Sequence, residues 1–234
     1  MQNPFFIKSP YHNFSLQHGA AVLVFLFFAF AIIRYARRQD KQKQILIGSV
    51  LSLIPLLALL FRMFLEWRYY EFTAKDDLPF HLCRILTFVA PFMMFRRSQK
   101  LFDVLYYLIL VGVANAIITA EIDYGFPHHD YFLYWLIHEG LLLLPIYAIF
   151  VYGFRPSLRG IWKALIAINI YLLLMLFINA LTGGNYLYAS HKPDVPTLID
   201  YLGDWPYYLL SLEIIMVLMS LLVYLPFLKS AKRT

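Results

Sequence analysis

The sequence predicts an all-α fold: a polytopic membrane protein of seven transmembrane helices, forming one domain over residues 1–234. Three observations predict it. Of the 234 residues, 61% are hydrophobic and only 15% are charged, where a soluble domain carries about 25%. Apolar stretches of about 17–22 residues recur from end to end, the length that crosses a hydrocarbon core of about 30 Å. Between them, connections rich in basic residues alternate with connections rich in acids.

The first span, 16–34, follows Phe14-Ser15-Leu16-Gln17-His18 and stops at Arg34, Arg37 and Arg38. It lacks a small-residue cleavage site, so no cleaved signal peptide is expected. The second, 45–64, begins after Lys41 and Lys43 and ends before Glu66. The third, 79–95, starts at Asp76-Asp77-Leu78-Pro79, an Asp cap with proline in the first turn. The fourth, 101–119, lies between Lys100 and Glu121, and the fifth, 131–152, between Asp130 and Arg155. The sixth, 161–182, ends at Gly183-Gly184, and the seventh, 206–228, runs from Pro206 to the terminal Lys229, Lys232 and Arg233.

Charge sets the orientation. Fourteen of the 20 basic residues fall on one side, in the connections after spans one, three, five and seven. Ten of the 14 acids fall on the other, among them Glu66, Glu71, Asp76, Asp77, Glu121, Asp123, Asp130, Asp194, Asp200 and Asp204. This places the N-terminus outside and the C-terminus in the cytoplasm of a multi-pass cell-membrane protein. The net charge of +6 is spent on these short basic runs and implies no nucleic-acid partner. The longest connection, about 183–205, holds Pro193 and Pro196 and reads as an extracytoplasmic lid rather than a linker. No internal repeat is evident, which disfavours a transporter built from inverted halves.

Polar groups inside spans are costly and are functional candidates. They gather toward the outer ends: His81, Cys83 and Arg84 in span three, His138 and Glu139 in span five, Glu213 in span seven, Asn179 closing span six and His18 at the head of span one. The cytoplasmic halves offer little beyond Asn169 and Asp103. A polar pocket open toward the outer leaflet is expected. The ordinary readings are snorkelling for Arg84 and interhelical hydrogen bonding for Asn179, with Glu213 pairing to Arg84.

Cys83 is the only cysteine, so an intramolecular disulfide is impossible. A thiol at a helix N-terminus beside Arg84 feels positive charge, while burial opposes ionisation. His81, two residues away, points to another face of a regular helix. His138, about 10 Å below the surface by helical rise, is the better base, and Glu213 is better placed than Glu139 to orient it. A Cys–His pair of this kind suits acyl transfer through a thioester. No P-loop, Cys-x-x-Cys, His-Glu-x-x-His or Gly-x-Ser-x-Gly is present. Span seven has no lysine for a retinal Schiff base.

The segments Leu78-Pro79-Phe80-His81-Leu82-Cys83, Trp135-x-x-His138-x-Gly140, Gly184-Asn185-Tyr186-Leu187-Tyr188 and Leu202-Gly203-Asp204-Trp205-Pro206-Tyr207-Tyr208 resemble the YwaF family of bacterial integral membrane proteins, related to animal transmembrane protein 164. The resemblance spans essentially the whole chain. Animal members are described as acyltransferases that remodel phospholipids with a cysteine nucleophile on a His-x-Cys segment. The resemblance therefore implies that Cys83 carries the acyl group, that His138 is its base and that His81 assists. It brings Asn185, Tyr186 and Trp205 to the pocket. Family members have Gly-Pro-Trp-Pro where this chain has Gly203-Asp204-Trp205-Pro206, so Asp204 adds a negative charge at the pocket mouth.

The expected activity is transfer of an acyl chain from a membrane phospholipid to a lysophospholipid or similar acceptor, with no cofactor, no metal and no obligate protein partner. Backbone amides of span three, Arg84 or Asn185 are candidates to stabilise the oxyanion. Two alternatives remain open: a transporter or receptor with an outward-facing polar pocket, and a metal-dependent lipid hydrolase using His18, His81 and His138 with Glu213.

Overall fold

The computed structural model describes residues 6–69, 71–193 and 198–228. Asp194 and Pro196 of the expected lid, and Lys229, Lys232 and Arg233, lie outside the described residues. Among those described, all regular structure is helical. Seven helices follow in order: α1 (Leu16–Ala36), α2 (Lys41–Tyr69), α3 (Leu82–Phe95), α4 (Gln99–Ile118), α5 (His129–Phe150), α6 (Leu158–Thr182) and α7 (Tyr207–Tyr224). The middle of α4, Leu108–Val113, is wound as a π-helix. All but α3 are long and apolar enough to cross a membrane.

The boundaries follow local chemistry. Ser15, Ser98 and Ser157 cap α1, α4 and α6, each accepting a first-turn backbone N–H on its side chain. Gly183, at φ 72°, ends α6 in the left-handed conformation that glycine adopts without strain. Pro55, Pro91 and Pro145 sit inside helices, where packing with neighbours offsets the lost hydrogen bonds. Pro55 also sets a close approach: a Cβ on Gly140 of α5 would stand 3.3 Å from its ring.

The third helix departs from expectation. It begins at Leu82, with His81 rather than an aspartate as its N-cap, and has 14 residues. The peptide groups ahead of it are satisfied by partners distant in sequence instead of by a first helical turn. The Tyr186 hydroxyl accepts from Leu78 N–H at 2.9 Å, Tyr171 donates to the Phe80 carbonyl at 2.6 Å, and Arg84 donates to the Asp77 carbonyl at 3.3 Å. Pro79 adds its own bias against helix at Leu78.

At the basic side α2, α3 and α5 pack together. A Cβ on Gly48 would meet Tyr147, Tyr152 and Met94, and the Arg97 guanidinium lies 4.9 Å from the Tyr152 ring centre. The shortfall of α3 therefore falls at the acidic side, where residues 74–81 and 184–188 take its place. Helices α4 and α5 are the most enclosed. Helices α1, α6 and α7 present Phe27, Ile170 and Leu218 outward, an apolar exterior suited to lipid.

Candidate active site

The sulfur of Cys83 sits in the first turn of α3, half-buried, where backbone N–H groups have no helical acceptors. The Cys83 carbonyl is engaged by Thr87 Oγ1 at 2.7 Å, which fixes the turn. Around the thiol, within electrostatic reach, stand the guanidiniums of Arg62 and Arg84 and the hydroxyls of Tyr134, Tyr171 and Tyr188.

His138 is buried in α5, its ring stacked on that of Tyr134 with centroids 4.1 Å apart. Its Nδ1 lies 2.8 Å from the Tyr134 carbonyl oxygen. A carbonyl only accepts, so Nδ1 carries the proton and Nε2 of the neutral ring keeps its lone pair. Arg62 and Arg84 lie within electrostatic reach of this ring as well. Arg62 and Arg84 thus act electrostatically on both Cys83 and His138, and Tyr134, in contact with His138, lies within electrostatic reach of Cys83. Cys83 and His138 each stand twelve residues before the end of their helix, Phe95 or Phe150, which puts each about 18 Å from that end along its own helix axis.

The two arginines are held by one carboxylate oxygen. Glu66 Oε1 is 2.9 Å from Arg62 Nε and 3.0 Å from an Arg84 guanidinium nitrogen, while its Oε2 is buried without a hydrogen-bond partner. The acid holding Arg84 is therefore Glu66 and not Glu213, which is half-buried on α7 and makes no hydrogen bond or ion pair among the described residues. Nor does Glu213 orient the imidazole; the Tyr134 carbonyl does. Glu139 is half-buried, and its Oε1 also lacks a partner.

The segment after α6 packs against the start of α3. Asn179 clamps it at two points, donating from Nδ2 to the Tyr186 carbonyl at 3.0 Å and accepting from Tyr186 N–H at 2.8 Å. The buried Tyr186 hydroxyl donates to the Ala74 carbonyl. A Cβ on Gly184 would stand 2.5 Å from the Lys75 carbonyl, so only glycine fits there. The His81 ring lies between those of Tyr186 and Tyr188, at 5.5 and 5.7 Å. Tyr188, at φ 51°, donates to Glu121 at 3.1 Å.

Other expected residues fall elsewhere. The Asn185 side chain is occupied by His191 and Ser190 and organises its own loop. Trp205 donates to the Ala189 carbonyl with its ring exposed, and the fully exposed Asp204 lies 3.9 Å from Lys192. His18 is buried against α5, with Nδ1 at 2.8 Å from the Tyr11 hydroxyl and its ring edge-on to Trp135. Among the described residues His18, His81 and His138 form no three-ligand group. His128, His129 and Asp130 do bring three potential ligand atoms within 4.8 Å of one another at the head of α5.

Arg62, Glu66 and Tyr134 are absent from the expected site. The signal for the first two was the Arg62-x-x-x-Glu66 spacing, which puts opposite charges on one helix face. Ending span two at residue 64 assigned Glu66 to a loop, whereas α2 continues to Tyr69. Tyr134 is likewise four residues from His138 on α5.

Fold and site define a class: a multi-span helical membrane protein whose half-buried thiol, at a helix N-terminus, shares charged neighbours with a buried imidazole. The chain matches the model of the TMEM164 family over residues 10–224, and it belongs to that family. No curated protein and no solved structure matches it.

Proposed function

We propose that this protein is a membrane-embedded lipid acyltransferase working through a Cys83 thioester. The observation that supports it most is that Arg62 and Arg84 act electrostatically on both Cys83 and His138, with Tyr134 in contact with His138 and within electrostatic reach of Cys83. In this reading His138 Nε2 takes the thiol proton, and the sulfur attacks the ester carbonyl carbon of a phospholipid. The first-turn amides of α3 and the two guanidiniums supply positive charge where the oxyanion develops. The C–O bond breaks, His138 returns the proton to the departing lysolipid oxygen, and the acyl group remains on sulfur. An acceptor hydroxyl then attacks the thioester, giving its proton to His138, and the C–S bond breaks to release the thiol. With water as acceptor the same steps make a lipase.

The charge alternation of the connections supports an N-terminus outside and a C-terminus in the cytoplasm. In that orientation the thiol faces the extracytoplasmic leaflet, and phospholipid with lysophospholipid are the partners. The apolar inner halves of the helices disfavour a transporter.

The test is acyl exchange between defined phospholipids by purified wild type, Cys83→Ser and Cys83→Ala. Mass spectrometry would follow a hydroxylamine-labile acyl adduct on Cys83. Loss of exchange and adduct in both variants is expected. Full exchange by Cys83→Ala would overturn the covalent mechanism.

A further inference from the structure

At the basic end of the bundle, opposite the thiol, a cavity of about 530 Å³ lies between α1 and the end of α5. It is lined by Phe30, Ile33, Arg34, Arg37, Arg38 and Phe150. The first five follow an i, i+3, i+4, i+7, i+8 progression, so they share one face of the helix and its first turn beyond. Its size suits a ligand group rather than one or two waters. No acid lines it. Among the described residues the three guanidiniums have no carboxylate partner, although Lys43 nearby is paired with Asp40 at 3.7 Å.

The apolar half of this cavity faces outward: Phe30 is 68% exposed and Phe150 56%. A ligand seated there meets unpaired positive charge at one end and a lipid-facing aromatic wall at the other. That is the polarity of a phospholipid whose headgroup carries net negative charge. Arginine suits phosphate oxygens because its planar fork donates two parallel hydrogen bonds. A helix C-terminus and a cytoplasmic loop would each explain one or two basic residues. They do not explain three guanidiniums converging on a single cavity with an aromatic floor. We infer that this cavity is a binding site for an anionic phospholipid, held by Arg34, Arg37 and Arg38 through its phosphate and by Phe30, Ile33 and Phe150 along its upper acyl chain.

The experiment is native mass spectrometry of the purified full chain, incubated with equimolar phosphatidylglycerol and phosphatidylcholine of the same acyl chains. Wild type is expected to retain phosphatidylglycerol over phosphatidylcholine by at least about tenfold, in line with the contribution of each basic residue near an anionic headgroup. Arg34→Gln, Arg37→Gln and Arg38→Gln combined should bring the preference to within about twofold. Lys41→Gln with Lys43→Gln, which removes two charges outside the cavity, should leave it unchanged. Ile33→Trp fills the cavity without altering charge and should also lose the preference, so the test stands even if the triple variant fails to insert. Free glycerol phosphate should not compete, because it lacks the acyl chain; full competition would mean a soluble anion site. Equal retention of the two lipids by wild type would overturn the inference. So would a preference that survives both the triple variant and Ile33→Trp, or one lost equally in the lysine variant, which would reflect diffuse charge.

Discussion

Tyr134 holds His138 by two contacts at once, its carbonyl accepting from Nδ1 at 2.8 Å and its ring stacking on the imidazole at 4.1 Å. One residue thereby fixes both the tautomer and the plane of the ring. The backbone part of this hold survives any substitution at position 134, whereas the stacking does not.

In the proposed reaction His138→Gln keeps a polar side chain in α5 but removes the proposed proton acceptor. Acyl transfer to Cys83 should fall by about 10²–10⁴-fold, the usual contribution of a positioned base, with helical content unchanged by circular dichroism. An unfolded product would instead mark His138 as structural.

Glu66→Gln leaves Arg62 and Arg84 without their shared counter-charge. Breaking a largely buried ion pair from one side costs about 3 kcal/mol. Thermal unfolding in detergent should show a clear drop in Tm, and Glu66→Asp should recover part of it. An unchanged Tm would mean that solvent or lipid already compensates the two guanidiniums.

Asn179→Ala removes both ends of the clamp on Tyr186, leaving its buried backbone N–H unpaired and its carbonyl with only the Ala189 N–H at 3.3 Å. A loss of about 2 kcal/mol is expected. Limited proteolysis should show new cleavage within 183–191, since that segment is tied to α6 at this point.

Gly140→Val would push side-chain carbons into Pro55, where even a Cβ stands at 3.3 Å. Overpacking of this kind costs about 1–3 kcal/mol. Thermal unfolding reads the loss, and Pro55→Ala in the same chain should relieve part of it.

Burial holds the His128 imidazole below its ordinary pKa, with His129 and Lys8 acting the same way and Asp130 and Asp123 opposing. The folded state then binds fewer protons than the unfolded state just below pH 6.5, so stability present above that value is lost as pH falls. Tm should decline between pH 7.5 and 5.5 in wild type and decline less in His128→Asn, which retains a side-chain cap for α5. Equal slopes would assign the decline to other groups.

Much of this architecture is legible from residues alone, because the cost of polar groups in hydrocarbon forces long apolar runs to be helices. Counting along the sequence from the helix ends also puts Cys83 and His138 at comparable depth, and each stands twelve residues before the end of its helix. Two details were not legible. The start of α3 slips from Pro79 to Leu82 because Tyr186 and Tyr171, about a hundred residues away, take over hydrogen bonds that a helical turn would otherwise make. The partner of Arg84 is Glu66 rather than Glu213 because α2 runs a full turn past the expected end of its span. Both depend on which helices are neighbours, which no local pattern encodes.

The 14 residues of α3 reach about 21 Å, roughly 9 Å less than a hydrocarbon core. That missing length is occupied by non-helical chain, residues 74–81 and 184–188, pinned through Tyr186 and Tyr171. In the proposed chemistry it is therefore irregular backbone, not a helix wall, that stands between the outer leaflet and the sulfur. Winding two more helical turns onto the start of α3 would have to break the hydrogen bonds of Leu78 to Tyr186 and of Phe80 to Tyr171, and would replace that irregular wall with a regular one.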